Sequence, residues 1–142
     1  MARAVTPETV LAEVERVMSR PFEWGPCDCC SAACDVFAAL WGFDPMAALR
    51  GYHGLMGAVR LLDHGGGLEE MADRHARRAG LRAGHATGGL AFVHFAPELG
   101  LLHGPRRVLL ASLLICIQPG QWAGKSRNGF AILRSADKGW HA

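Results

Sequence analysis

A run long enough to cross a bilayer is the first thing this sequence lacks. Its longest apolar stretch, residues 108–117, spans ten positions and contains Ser112. A membrane-spanning helix needs ~20 such residues, so this one reads as a buried strand and no membrane anchor is expected. Also missing is an apolar segment behind Met1–Arg3, where Thr6, Pro7 and Glu8 come next. Synthesis in the cytoplasm without a signal peptide is the expectation. Charge of one sign is scarce too: 15 Lys and Arg against 13 Asp and Glu leave +2. The basic residues are scattered as Arg74, Arg77, Arg78, Arg82, Arg106 and Arg107. A nucleic-acid-binding chain concentrates its basic residues on one face, so no nucleic-acid partner is expected.

What is present points to one folded unit. Half of the 142 residues are hydrophobic and a fifth are charged, which excludes a disordered chain and suits a single domain over residues 1–142. No internal repeat or low-complexity linker divides it.

The cysteines are odd in number and clustered. Of the five, Cys27, Cys29, Cys30 and Cys34 fall within eight residues, and Cys116 stands alone. That pattern fits reduced thiols better than a disulfide framework. A structural zinc site usually takes two separated Cys pairs, whereas C-x-C-C-x-x-x-C on a helix sends its side chains apart. No metal or other cofactor is expected.

Helix signals dominate residues 6–80. Thr6-Pro7-Glu8 combines a hydroxyl N-cap, proline at the first helical position and an early acid, and Val10, Val14, Val17 and Met18 then recur at helical spacing. Arg20-Pro21 ends that helix. Asp28 is placed to cap a second helix that runs to Trp41 and stops at Gly42. Asp44-Pro45 repeats the start signal for a short helix ending at Arg50-Gly51. Further helices are expected over residues 55–63 and 68–79, separated by Gly65-Gly66-Gly67. That glycine run lacks a following Gly-Lys-Ser/Thr and a preceding strand, so it is a turn and not a phosphate loop.

Strand signals take over in residues 88–135. Strands are expected over residues 90–95, 108–118, 121–125 and 130–134, with a turn at Arg127-Asn128-Gly129. Trp140 is expected to pack back on the body. Helices first and strands second predict an α+β domain, its N-terminal helices packed on a C-terminal antiparallel sheet.

Chemistry concentrates at residues 24–31, Trp-Gly-Pro-Cys-Asp-Cys-Cys-Ser. A loop there delivers a thiol to the first turn of a hydrophobic helix. The free N–H groups of that turn favour a thiolate and can stabilise an oxyanion. Cys29, directly after the cap, is the best-placed nucleophile, with Asp28 and Cys30 as positioning residues. Buried cysteine acting as a small hydrophobe is the alternative.

The run Gly25-x-x-Asp28-Cys29-Cys30-Ser31 resembles the nucleophile motif of NlpC-type, papain-like cell-wall peptidases. It is closer still to a branch found in tailed phages and prophages, with an aromatic-Trp-Gly-x-x-Asp-Cys opening, then Gly-x-Asp-Pro, then Arg-Gly-x-Tyr. The corresponding residues are Trp24-Gly25 with Asp28-Cys29, then Gly42-Phe43-Asp44-Pro45, then Arg50-Gly51-Tyr52. The likeness continues through Gly57-Ala58 and Gly65-Gly66 to residues 130–140.

The resemblance implies a papain-like fold with the Cys29 helix against an antiparallel sheet. It implies a tail-tip component of a phage or gene-transfer agent, made in the cytoplasm and then carried in the particle. Its partners would be other tail-tip proteins and peptidoglycan. The implied reaction is thiol attack on a stem-peptide amide. The sequence departs at two places: Gly88-Gly89-Leu90 stands where Gly-Asp is common in the family, and Ser112 stands where the resemblance implies a catalytic histidine, serine being no base near neutral pH. His94 and His103 are the candidate substitutes. The alternative is a structural tail protein that kept the fold and lost the histidine, with the apolar strand, Trp122 and Trp140 making contacts. Tyr52 and Arg50-Gly51 read more simply as the end of a helix than as site residues. Glu69 and Glu70, adjacent on a helix, diverge and do not form a glycosidase pair.

Overall fold

The computed structural model describes residues 4–100 and 111–142. Within them the chain is an α+β domain of four α-helices and a six-stranded antiparallel sheet. The helices are α1 (Pro7–Met18), α2 (Cys29–Trp41), α3 (Gly54–Gly65) and α4 (Leu68–Arg78). The strands are β1 (Arg82–Ala83), β2 (Leu90–Val93), β3 (Ser112–Gln118), β4 (Gln121–Lys125), β5 (Phe130–Leu133) and β6 (Lys138–His141). They lie in the order β1-β6-β2-β3-β4-β5.

Local chemistry explains the helix ends. Thr6 caps α1, accepting from the Thr9 backbone N–H at 3.2 Å, and Thr9 Oγ1 accepts the Thr6 N–H at 2.8 Å in return. Gly42 closes α2 at φ 86°, a conformation cheap only for glycine, and its N–H reaches the Ala38 carbonyl at 2.8 Å.

β3 is apolar on both sides because both sides are covered. Leu113, Ile115 and Ile117 join Val10, Val14, Val36 and Phe37 of α1 and α2 in one core. Leu114 and Cys116 face the other way, into a smaller cluster with Val93, Leu99, Trp122 and Leu133. Two indoles tie the layers together. Trp41 Nε1 donates to the Gly88 carbonyl at 2.9 Å, and Trp140 Nε1 donates to Asp73 of α4 at 3.0 Å.

Several expectations need correction. The sheet extends past residues 88–135, because β1 and β6 pair as Arg82 with His141 and Ala83 with Trp140. Neither strand carries an apolar alternation, and Lys138-Gly139-Trp140-His141 becomes a strand only through pairing with β2. The short helix expected after Asp44-Pro45 is a single 3-10 turn, Ala47–Leu49. The strand expected over residues 90–95 ends at Val93, and Phe95 is exposed. β3 starts at Ser112, while residues 108–110 of the expected strand lie outside the described residues. Trp122 and Trp140, read as contact residues of a structural protein, are 6% and 3% exposed and belong to the interior.

Candidate functional site

Asp28 organises the start of α2. It is buried, and its Oδ1 accepts from the N–H groups of Cys30 and Ser31, both at 2.9 Å, and from Ser31 Oγ at 3.0 Å. Ser31 Oγ accepts the Asp28 N–H at 2.8 Å, which completes a capping box. Oδ2 takes the Gly25 N–H at 3.0 Å and the Tyr52 hydroxyl. A buried carboxylate needs this many donors to offset its desolvation.

The short motifs of the sequence are the parts of this clamp. Gly25 sits at φ 101°, and a Cβ there would lie 2.3 Å from the Tyr52 carbonyl oxygen, so only glycine lets the loop close over the Tyr52 backbone. Arg50 spans Asp44 at 2.9 Å and Asp35 of α2 at 2.7 Å, which fixes the segment that carries Tyr52. Tyr52 is therefore a site residue and not merely a helix end. The contact to Asp28 crosses 24 residues, and helix-end chemistry at residues 50–52 carries no trace of it.

Cys29 follows the cap and is 8% exposed. Its sulfur lies 3.8 Å from that of Cys30. The Cys30 thiol donating to it holds Cys29 below the ordinary thiol pKa. Burial and the Asp28 charge oppose that shift, and the Leu113 backbone N–H and the Ser112 side chain assist it. Cys30 is pushed well up by the same contact and by burial. Ser112, the buried first residue of β3, also helps to lower the Cys29 pKa, while its hydroxyl donates to the Leu113 carbonyl at 3.0 Å. Cys30, expected from the sequence as a positioning residue, is the thiol beside the Cys29 sulfur, although neighbouring side chains on a helix ordinarily diverge.

The remaining cysteines serve the core. The Cys27 thiol points at the Val17 carbonyl, 3.9 Å away, and burial raises its pKa. Cys34 is raised by burial, and Cys116 is pushed up to about 11 by burial. All five are free thiols. Among the described residues no group of three or more His, Cys, Asp or Glu side chains is placed to hold a metal ion.

His94 lies just past the Val93–Ser112 pair of β2 and β3. Both ring nitrogens face carboxylates, Nδ1 to Asp137 Oδ2 at 2.9 Å and Nε2 to Glu69 Oε1 at 3.2 Å, with the side chain 65% exposed. Neither nitrogen is directed at Cys29. His103 lies outside the described residues. Among the described residues the histidine that shares a cavity with Cys29 is His75 of α4, whose pKa is lowered by burial and by Arg78 and Arg74. Nothing in the helical pattern of α4 distinguishes His75 from an ordinary surface position.

That cavity, of about 60 Å³, lies between α2, α3, α4 and the sheet, with Cys29, Tyr52, Leu62, Met71, Leu90 and Trp140 among its walls. No helix among the described residues is long and apolar enough to cross a membrane.

No curated protein and no solved structure matches this chain. Residues 3–134 match DUF6950, a domain of unknown function, and the chain belongs to that family.

Proposed function

We propose that this chain is a papain-like domain of NlpC-type descent, a component of a phage or gene-transfer-agent tail tip, in which Cys29 is a nucleophile for acyl chemistry. The observation that carries the reading is the setting of Cys29. A thiol on the first turn of an Asp28-capped helix lies 3.8 Å from the Cys30 sulfur, and Cys30 above all, with Leu113 and Ser112, biases it toward its thiolate. The tail-tip location, the tail-protein partners and the peptidoglycan stem-peptide substrate come from the motif resemblance. The proposed step is attack of the Cys29 sulfur on an acyl carbon.

A second reading, a structural tail protein that has lost catalysis, is favoured by the serine at position 112, which leaves Cys29 without an imidazole partner among the described contacts.

Alkylation of the native protein across pH, mapped by mass spectrometry, tests the first reading. Cys29 should react fastest and keep reacting below ~8.5, the pKa of a free thiol. Cys27, Cys34 and Cys116, all raised by burial, serve as internal controls. If Cys29 reacts no faster than Cys27, the nucleophile reading is lost and the structural one stands.

A further inference from the structure

Cys29 is 8% exposed, yet the proposed substrate is an amide carried on a polymer. A small reagent needs only a brief gap to reach such a sulfur, whereas a polymer needs a wall to move aside. The cavity beside Cys29 is walled by α2, β3, α3 and α4. Two of these walls are pinned: Ala32, Ala33, Val36 and Phe37 of α2 and Ile115 of β3 are fully buried in the main core.

The other two are fastened chiefly to each other. The Gly67 N–H donates to the Leu62 carbonyl at 2.8 Å, and Arg74 Nη2 donates to the Gly65 carbonyl at 2.8 Å. Gly65 packs so closely on α4 that a Cβ would stand 2.6 Å from the Met71 sulfur. The hairpin is therefore one stiff body. Of α3 only Ala58 and Gly65 are buried, and α4 reaches the main core through Leu68 and Ala76. The chain enters the hairpin at Gly54, φ 68°, and leaves it at Gly80, φ 79°, and glycine at such element ends absorbs a rotation at little cost. Among the described residues, the side chains that tie the hairpin to the sheet by polar bonds are Asp73 and Glu69. Asp73 accepts from Trp140 Nε1 at 3.0 Å, with the indole 3% exposed. Glu69 meets His94 at 3.2 Å in solvent, where an ion pair holds weakly.

We propose that α3 and α4 form a hinged lid over Cys29, turning about Gly54 and Gly80 and latched by the Asp73–Trp140 hydrogen bond, and that substrate enters when the lid lifts. The inference rests on Cys29 being the nucleophile of the proposed amide chemistry, and it adds how a polymer reaches that thiol. Lifting uncovers the thiols that line the cavity, Cys29, Cys30 and Cys34. Cys27, which points at the Val17 carbonyl, and Cys116, on the opposite face of β3, stay covered. Lifting also uncovers Leu68 and Ala76, so the closed form dominates and the open one is the minor state.

The test combines hydrogen exchange with iodoacetamide alkylation of the full chain, both read by mass spectrometry. Asp73→Ala removes the acceptor of the latch, and Asp73→Asn keeps an oxygen for the indole. Asp73→Ala should speed Cys29 alkylation about tenfold, the equivalent of one hydrogen bond to a charged group. The factor should be the same at pH 7 and pH 10, because access changes and ionisation does not. Amide exchange should quicken over α3 and α4 and stay slow in α2 and β3, while Cys27 and Cys116 keep their rates. Asp73→Asn should behave like the parent chain. Trp140→Phe, which removes the donor and keeps a ring, should match Asp73→Ala and keeps the test decisive if that variant does not fold. Equal acceleration of every cysteine would mean that the whole domain loosens, and unchanged rates in both variants would mean that nothing is latched; either result overturns the lid. Faster exchange confined to α3 and α4, with Cys29 no more reactive than Cys27, would uphold the hinge and overturn the nucleophile reading alone.

Discussion

The neighbourhoods of Cys29 and His94 hold the two side chains that a thiol peptidase combines, and they differ in almost every physical respect. Cys29 is buried, its sulfur lies beside the Cys30 thiol, and the carboxylate next to it is already engaged by five donors. His94 is largely exposed and held between Glu69 and Asp137. Its backbone N–H also donates to Asp137 at 2.7 Å. A low local dielectric strengthens every bond at the first place, while solvent screens those at the second. The difference teaches that the thiol meets a helix start and a second thiol, while the imidazole of His94 meets only carboxylates.

The sharpest way to break this comparison is to remove its organiser. Asp28→Ala strands the N–H groups of Gly25, Cys30 and Ser31 and the Tyr52 hydroxyl in the interior. It should cost about 3–5 kcal/mol in urea unfolding. A loss below about 1 kcal/mol would mean that water replaces the carboxylate and that the site is wetter than its burial indicates.

Gly25→Ala comes next. Its φ of 101° and the 2.3 Å approach to the Tyr52 carbonyl predict a loss of roughly 2–3 kcal/mol. The loop should also lift from Tyr52, which near-ultraviolet circular dichroism of the single tyrosine and the adjacent Trp24 will register.

Cys30→Ala sharpens the comparison without disturbing the fold. The Cys30 thiol is the leading cause of the lowered Cys29 pKa, so its removal moves that pKa up. The sign follows: a smaller thiolate fraction at pH 7, an unchanged one at pH 10. Alkylation of Cys29 should slow by about tenfold at pH 7, the equivalent of one pKa unit, and hardly at all at pH 10. Equal slowing at both pH values would point to lost access instead of lost ionisation. A Cys29–Cys30 disulfide should not complicate the experiment, since adjacent Cα atoms stand ~3.8 Å apart, inside the ~4.4 Å lower limit for a relaxed bridge.

The smallest effect is expected from His94→Ala. Its partners are exposed, so unfolding free energy should change by less than about 0.5 kcal/mol. The change should show above the carboxylate range and vanish at strongly acid pH. Asp137 is held below its usual range by the His94 backbone N–H and then by the ring. A depressed carboxyl contributes stability above its unfolded pKa of ~3.9 and loses it as the pH falls through the folded value. The pH profile of Cys29 alkylation should not move. If it does, His94 is the missing base after all.

Much of the thiol site is legible in the chain itself because its logic is local. Asp28 as a cap, Cys29 in the first turn and Gly42 as a stop follow from the order of residues along one helix. The helix periodicities of α1, α2 and α4 and the two-sided burial of β3 are equally visible, since hydrophobic spacing reports them directly. Tyr52 on Asp28, Arg50 between Asp35 and Asp44, and Glu69 and Asp137 on His94 are not, because each joins positions that no period connects.

By itself, then, the sequence determined the class of fold, the helices that carry the thiol and the identity of the residue at its tip, all of them consequences of propensity and patterning within a few turns of chain. Only the tertiary structure decided what that thiol meets. The pairing of β6 with β1 and β2 and the closure of α3 and α4 over β2 and β3 depend on contacts across dozens of residues. Those contacts placed Ser112 and hydrocarbon beside Cys29 and left His94 to its two carboxylates.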